Sequence, residues 1–300
     1  MIIEILKALL IGIVEGITEW LPISSTGHMI LVDEFVQLNV SESFLNLFLV
    51  VIQIGAILAV IIMYFQKLNP FSTKKTPEQR KGTWRLWGMV VIGCVPAAAV
   101  GLVLDDWVNE HFYNKVVVAA MLIVYGIAFI VLERRNRSKM DWAQCAHPGI
   151  DQSEAENMLF SVADVDSIDW KTALKIGLFQ CLAIIPGTSR SGATIIGGML
   201  AGCSRTAAAE FTFFMAIPVM LGWGLVKAFK FIAAGLAMSA TEIAVLVVGV
   251  VTAFVMSVVS IRFLMGYIKR NDFAAFGWYR IVVGILVLAV FALETAGVLA

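Results

Sequence analysis

The chain has 300 residues, of which 60% are hydrophobic and 15% are charged, and its 22 basic and 22 acidic residues give a net charge of zero. A soluble domain is about half apolar and about a quarter charged, so this composition predicts an integral membrane protein and excludes an ordinary soluble domain. The balanced charge gives no support for nucleic-acid binding. Four scattered cysteines are typical neither of a disulfide framework nor of a zinc site.

Six apolar segments predict transmembrane helices, since a helix needs about 20 apolar residues to cross a bilayer. A polar stretch over residues 134–170, acidic beyond its basic start, separates the third segment from the fourth. We interpret that stretch as a solvated cytoplasmic linker. The helices are expected at about residues 43–65, 86–104, 116–132, 208–230, 243–261 and 278–298.

Two further apolar segments are too short to cross. Residues 8–21 would form a helix of about 21 Å, whereas the hydrocarbon core is about 30 Å thick. Pro22 ends that helix because proline lacks the donor for the helical hydrogen bond, and Pro186-Gly187 interrupts a second such segment. A break in a helix at membrane depth is tolerated only where protein or a water-filled cavity provides hydrogen-bond partners for the freed backbone N–H and C=O groups. We therefore predict two re-entrant helical hairpins, over residues 3–36 and 172–202.

The two hairpins align without a gap at an offset of 165 residues. Ser24 matches Ser189, and Glu15 matches Gln180. Each hairpin precedes three predicted transmembrane helices. We therefore expect two copies of one unit, residues 1–133 and 171–300, within one structural domain.

Loop charge predicts the orientation. The loop over residues 67–85, the start of the linker at residue 134 and the segment 262–270 are basic. Because basic loops stay in the cytoplasm, both termini should lie outside. Three crossings in each unit make the two units inverted, an arrangement in which the hairpins enter from opposite faces and meet near the middle.

The first hairpin carries two carboxylates in apolar surroundings. Glu15 and Glu19 are four residues apart, so they share one helix face. Two like charges repel in a low-dielectric setting, and a bound cation, a shared proton or a basic partner must offset this. The alternative is a pair at a solvent-facing helix end. Ionisable groups within membrane segments are candidates for a functional site, which we favour.

Hydroxyl-rich segments follow both predicted breaks. A helix that starts near Ser24 presents unpaired N–H groups and a positive dipole end. The hydroxyls there would cap the helix, or the same N-terminus would hold a phosphate. The second break repeats the arrangement and adds Arg190, a bidentate donor suited to phosphate. His28 alone would be equally typical of a core histidine, but together these residues favour an oxyanion-binding centre.

Three motifs in these segments are Glu15-x-x-x-Glu19, Pro22-x-Ser24-Ser25-Thr26-Gly27-His28 and Pro186-Gly187-x-Ser189-Arg190-Ser191-Gly192-x-Thr194. They resemble the signature motifs of the bacterial undecaprenyl-diphosphatase family, also called bacitracin-resistance proteins. Residues 50–60 and 197–211 are also similar to that family, so the resemblance covers nearly the whole chain. The linker is longer than the family pattern leads us to expect.

The resemblance implies a hydrolase of the bacterial plasma membrane. Such an enzyme removes the terminal phosphate from undecaprenyl diphosphate, recycles the carrier lipid of cell-wall synthesis and confers resistance to bacitracin. The site would open to the periplasmic side, and a divalent cation, Mg or Ca, would support activity. The expected partners are the lipid substrate, membrane lipids and, as an open alternative, a second copy of the chain; nucleic acid is not among them.

The resemblance also implies roles for residues of this chain. The nucleophile stays open between Ser25, His28 and a water, and Glu15 and Glu19 are the candidate cation ligands. The implied catalytic residues are Glu15, Glu19, Ser25, His28 and Arg190. The implied phosphate-binding residues are Ser24, Thr26, Gly27, Ser189, Ser191, Gly192 and Thr194.

Two rival functions share some of these features. A transporter or flippase of polyprenyl phosphate lipids would also be built from inverted repeats with broken helices that meet at the midplane. A lipid phosphatase of the acid-phosphatase superfamily carries a Ser-Gly-His element, but the arginine-rich first motif of that superfamily is absent from this sequence. Phosphate release by purified protein in detergent separates the enzyme from the transporter.

Overall fold

The structure is a computed structural model that describes residues 1–33, 35–150, 158–235 and 238–296. These residues are mainly α-helical, with short 3₁₀ turns at Val165–Ser167 and Leu182–Ile184. The α-helices that lie wholly within the described residues are α1 (Ile2–Thr18), α2 (Ser25–Asp33), α3 (Glu42–Met63), α4 (Phe65–Leu68), α5 (Pro77–Phe112), α6 (Lys115–Ala146), α7 (Trp170–Cys181), α8 (Arg190–Leu200), α9 (Arg205–Ala233), α10 (Ala240–Ile268) and α11 (Ala274–Thr295).

Six helices are long and apolar enough to cross a membrane, namely α3, α5, α6, α9, α10 and α11. This confirms the prediction of an all-α membrane protein with six transmembrane helices. Several helix ends lie well beyond the predicted bounds, because α5 spans Pro77–Phe112, α6 continues to Ala146 and α10 continues to Ile268. Charged residues end an apolar stretch but do not end a helix. In the extension of α6, Glu133, Asn136 and Met140 recur at helical spacing and are buried.

The segment before α7 differs from the predicted solvated linker. Phe160 and Ile168 are buried there, and the Val162 N–H donates to the Gly202 carbonyl oxygen at 3.1 Å. The Ser204 N–H donates back to the Val162 carbonyl oxygen at 2.9 Å, so this segment packs on the turn between α8 and α9. The prediction followed the acidic composition of the stretch and did not account for the apolar residues that lie between the acidic ones. Residues 151–157 lie outside the described part of the chain.

Both short helix pairs are broken near the expected prolines. The first break separates α1 from α2 between Thr18 and Ser25. The second separates α7 from α8, and the 3₁₀ turn Leu182–Ile184 lies within it. Each break is therefore followed by a helix that starts at the hydroxyl-rich segment.

The first helix of each pair packs along a long helix from the other half of the chain. A Cβ added to Gly12 of α1 would lie 2.7 Å from the Gly249 carbonyl oxygen of α10, and one added to Gly16 would lie 2.6 Å from the Ala253 oxygen. A Cβ on Gly177 of α7 would likewise collide with the carbonyl of Gly93 in α5. Small residues permit such close approach between apolar helices. The order of the contacts shows that α1 runs parallel to α10.

Helices α6 and α11 pack against each other in opposite directions. A Cβ on Gly126 would lie 2.6 Å from the Gly277 carbonyl oxygen, and one on Gly277 would lie 2.7 Å from the Gly126 oxygen. Lys115 at the start of α6 pairs with Glu294 at the end of α11 at 2.9 Å. Near the other end of α6, Glu133 accepts a hydrogen bond from the Phe273 N–H just before α11. The two helices are therefore antiparallel.

Candidate active site

The two helix breaks have the same backbone conformation. Ser24 has a φ of 73° and Ser189 a φ of 71°, and they are the two non-glycine residues with positive φ in the described part of the chain. Such a conformation costs an L-residue about 1–3 kcal/mol and persists only where the surroundings hold it. The Ser24 hydroxyl accepts from the Gly27 N–H at 3.3 Å, and the Ser189 hydroxyl accepts from the Gly192 N–H at 3.1 Å. Both helices therefore start with a serine cap at matched positions.

Glu19 joins the two breaks. The Ser25 hydroxyl donates to Oε2 of Glu19 at 2.9 Å, and Nη2 of Arg190 donates to Oε1 at 3.2 Å. Nη1 of Arg190 also donates to the Thr212 carbonyl oxygen at 3.1 Å. The charge of this buried carboxylate is therefore offset by a basic partner from the second half of the chain.

Glu15 is more deeply buried, at 2% exposure, and Oε1 of its carboxylate has no hydrogen-bond partner among the residues that the structure describes. The amide oxygen of Gln180, at the matched position, is likewise buried without a partner. Within the described residues, no cluster of three or more histidine, cysteine or acidic side chains forms a ready metal site. Mg²⁺ is usually held by one or two carboxylates together with substrate phosphates, so Glu15 and Glu19 suit a cation that arrives with a diphosphate.

Both ring nitrogens of His28 have partners other than the Ser25 hydroxyl. Its Nδ1 lies 2.7 Å from the Ser24 carbonyl oxygen, and its Nε2 lies 2.8 Å from the Tyr279 hydroxyl. The two rings are stacked, with centroids 5.6 Å apart. Because a carbonyl oxygen only accepts, Nδ1 carries a proton, and in the neutral ring Nε2 accepts from Tyr279. The structure thus brings Glu19, Ser25 and Arg190 into contact and gives His28 a separate partner.

Several predicted phosphate ligands have partners within the protein. The Ser191 hydroxyl lies 3.2 Å from the Glu19 carbonyl oxygen and 3.3 Å from that of Leu21, so it ties the second break to the first. The Thr194 hydroxyl donates to the Arg190 carbonyl oxygen at 2.9 Å. The Ser191 contacts hold the two breaks together, whereas the Thr194 bond lies within α8, and the predicted phosphate contacts of both residues stay predictions.

A cavity of about 210 Å³ lies where the breaks meet. Glu19, Ser25 and Arg190 form its polar part, with Thr26 and Ser189 beside them. Sequence reasoning missed its other walls, which come from positions that look like ordinary apolar helix. These walls include Gln53, Ile185, Val219, Met220 and Trp223.

Residues 8–286 match the model of the family described as bacitracin resistance protein BacA. The chain belongs to this family. The chain is 51% identical to an undecaprenyl-diphosphatase of Enterococcus faecalis over 282 residues, which cover 94% of this chain and 95% of that protein. It is 51% identical to one of Desulfitobacterium hafniense over 295 residues, 98% of each chain. A third, of Streptococcus thermophilus, is 54% identical over 287 residues, 96% of this chain and 93% of that protein.

Arg280 is a residue of this family member that sequence reasoning missed. The predicted helix over residues 278–298 places it near its start, whereas its side chain is fully buried beside the two breaks. Its guanidinium donates to carbonyl oxygens in both of them. The signal was present in the sequence, because an arginine within a predicted membrane segment is a functional-site candidate by default.

Proposed function

We propose that this chain is an undecaprenyl-diphosphatase, which hydrolyses undecaprenyl diphosphate to undecaprenyl phosphate and phosphate. The monophosphate would return to cell-wall synthesis as the carrier lipid, and the activity would confer resistance to bacitracin. Relatives of that name match nearly the full length of the chain. The observation that carries the proposal is Glu19 held between the Ser25 hydroxyl and the Arg190 guanidinium, beside a cavity at two helix N-termini.

Phosphate binding would rest on Arg190 and the helix starts. Phosphoryl transfer is catalysed mainly by positioning and by stabilisation of charge on the transferred group. The N-termini of α2 and α8 face the same junction and supply N–H groups and positive dipole ends. Arg190 would exchange its bond to Glu19 for bonds to phosphate oxygens, which leaves the carboxylate free to accept a proton. The remaining predicted phosphate ligands would surround this centre.

Ser25 is the nucleophile that the geometry favours. Its hydroxyl would attack the terminal phosphorus and pass its proton to Glu19, which lies at hydrogen-bond distance. The bond from that phosphorus to the bridging oxygen breaks, and undecaprenyl phosphate leaves. A water then attacks the phosphoserine and releases phosphate. His28, whose Nε2 meets Tyr279, would hold the backbone at Ser24 rather than attack.

A divalent cation, Mg²⁺ or Ca²⁺, would be held by Glu15 and Glu19. It would neutralise part of the charge of the diphosphate. The support is the buried and unpartnered Oε1 of Glu15, which lies close enough to Glu19 for an electrostatic interaction. A carboxylate oxygen buried in this way is costly unless something binds it.

We also propose that residues 1–133 and 171–300 are inverted repeats, each with a re-entrant hairpin, and that the site opens to the periplasmic side of the bacterial plasma membrane. The antiparallel pair α6 and α11, the third long helix of each half, supports this arrangement. So does the reciprocal packing of α1 on α10 and of α7 on α5. Both termini would lie outside, because the basic loops lie at the opposite ends of the helices.

The orientation is testable with the exposed thiol of Cys145, near the end of α6. A membrane-impermeant maleimide should label it in inside-out vesicles and not in intact spheroplasts. A Tyr113→Cys variant without Cys145 should show the reverse, since Tyr113 lies before the start of α6 and is exposed. Labelling of Cys145 in spheroplasts would contradict the proposed orientation.

The enzymatic proposal is tested by phosphate release from purified protein in detergent, where no second compartment exists. Undecaprenyl diphosphate is supplied with and without a chelator. Wild-type protein should release phosphate, and Glu19→Gln should lose about 10²–10⁴-fold in kcat because the amide cannot accept the proton. Glu210→Gln is the matched control, since Glu210 pairs with Lys67 at 2.9 Å outside the cavity. Substrate binding without phosphate release would favour the transporter instead.

A further inference from the structure

Arg280 is a buried cation beside the site that the proposed reaction does not use. Its side chain has 0% exposure and lies within the apolar helix α11. Its hydrogen bonds go to backbone carbonyl oxygens rather than to a carboxylate. Burying such a charge costs free energy. The cost is offset only if those carbonyl oxygens need a hydrogen-bond donor that no other group supplies.

One guanidinium reaches both helix breaks. Nη1 of Arg280 donates to the Pro22 carbonyl oxygen at 3.1 Å in the first break. Nη2 donates to the carbonyl oxygens of Gly187 and Thr188, both at 2.9 Å, in the second. The planar group therefore bridges two segments that are separated by more than 160 residues of sequence.

The guanidinium is itself held in place by α6. It lies over the Tyr125 ring of α6, 5.5 Å from the centroid, and Nε is 3.5 Å from the Leu122 carbonyl oxygen. On the other side, a Cβ on Gly192 would lie 3.0 Å from Nη1, so the glycine leaves room for the guanidinium. A residue fixed in this way can transmit its own position to what it binds.

The carbonyls that Arg280 binds lie next to the reacting residues. Pro22 precedes Ser25 by three residues, and Thr188 precedes Arg190 by two. Broken backbone leaves carbonyl oxygens that need donors, and arginine presents several in a rigid fork. The spacing between the Ser25 hydroxyl and the Arg190 guanidinium therefore depends on the Arg280 guanidinium, which connects the backbones of the two breaks.

We propose that Arg280 is a positioning residue for phosphoryl transfer, which sets the distance between the nucleophile on one break and the phosphate-binding arginine on the other. This inference rests on the proposed function. It extends the site to α11, a helix that carries no residue implied by the family motifs. The rival explanation is a purely structural arginine, whose loss lowers stability without changing the rate of each folded molecule.

The test compares Arg280→Lys with Arg205→Lys. Lysine keeps the charge but has no planar fork that could serve both breaks at once. Arg205 is the matched control, because it is equally buried, at 3% exposure, and pairs with Glu133 at 2.7 Å away from the cavity. For Arg280→Lys we expect kcat on undecaprenyl diphosphate to fall about 100-fold, since a misplacement of about 1 Å has that effect. KM should change little, and Arg205→Lys should lower the melting temperature with kcat nearly unchanged.

A double-mutant cycle separates alignment from general damage. If Arg280 acts by aligning Arg190 with Ser25, then Arg280→Lys should cost far less in an Arg190→Lys background than in wild type. Arg205→Lys should cost the same in both backgrounds. Additive losses for Arg280→Lys, or a lowered melting temperature with unchanged kcat, would overturn the inference.

A readout independent of turnover keeps this inference separate from the proposed function. Hydrogen exchange of the amides in residues 23–28 and 187–192 should be faster in Arg280→Lys than in wild type, and unchanged in Arg205→Lys. If the amides at both breaks exchanged at the wild-type rate in Arg280→Lys, the claim that Arg280 bridges the breaks would be wrong, even if the enzyme proved inactive. Active wild-type protein with an equally active Arg280→Lys would leave the function standing and refute the positioning role.

Discussion

Replacing Ser25 by alanine separates the serine mechanism from attack by water. The hydroxyl lies 2.9 Å from Oε2 of Glu19, so the substitution removes both the attacking oxygen and the proton that the carboxylate would take. General base catalysis contributes about 10²–10⁴-fold, and we expect kcat to fall by at least that factor, or about 2.7–5.5 kcal/mol in the barrier. Stability should change little, because Glu19 keeps its bond to Arg190.

The assay combines steady-state phosphate release with acid quenching of substrate labelled in the terminal phosphate. Wild-type protein should retain label on the peptide that contains Ser25, and Ser25→Ala should not. Ser257→Ala is the control, since that buried hydroxyl lies 3.4 Å from the Gly16 carbonyl oxygen, outside the cavity. Turnover by Ser25→Ala above about a tenth of the wild-type rate would refute the serine nucleophile. Label retained on the peptide that contains His28 would then identify the histidine as the nucleophile, and no retained label would favour attack by water.

Two further substitutions test features around the site. Tyr279→Phe removes the hydroxyl that bonds Nε2 of His28 but keeps the stacked ring. Because one neutral hydrogen bond is lost, kcat for phosphate release should fall only about 3–10-fold. An unchanged rate would show that this bond does not contribute to catalysis. Gly177→Ala should destabilise the protein by about 1–3 kcal/mol in unfolding experiments in detergent, because its Cβ would collide with the Gly93 carbonyl. Gly88→Ala has open space and should be neutral or slightly stabilising, and equal effects for both would contradict the packing argument.

Local features of the sequence predicted much of the fold. Hydropathy gave the six long helices because a membrane span depends on its own composition. The breaks followed from Pro22 and Pro186, since proline acts on the preceding turn. A repeat was predicted from the alignment of the two hairpin segments, and Ser24 and Ser189, at matched positions, have φ values of 73° and 71°.

Contacts between distant segments were not predictable. Two carboxylates near each other implied a cation, a proton or a basic partner, and only the folded chain identifies Arg190 as the partner of Glu19. Ser191 looked like a phosphate ligand from its motif, whereas its hydroxyl also bonds the backbone of the other break. Arg280 looked like the end of an apolar segment. Each of these depends on which helices lie side by side, and no local pattern encodes that.

The packing of each broken helix against the other half has a consequence for synthesis. Helix α1 leaves the ribosome well before the helix along which it lies, α10, which ends at Ile268. The carboxylates on α1 must therefore enter the bilayer long before their final surroundings exist. Neither half, expressed alone, contains the helix that its own broken segment packs along. Two separately made halves would have to associate before a working centre appeared.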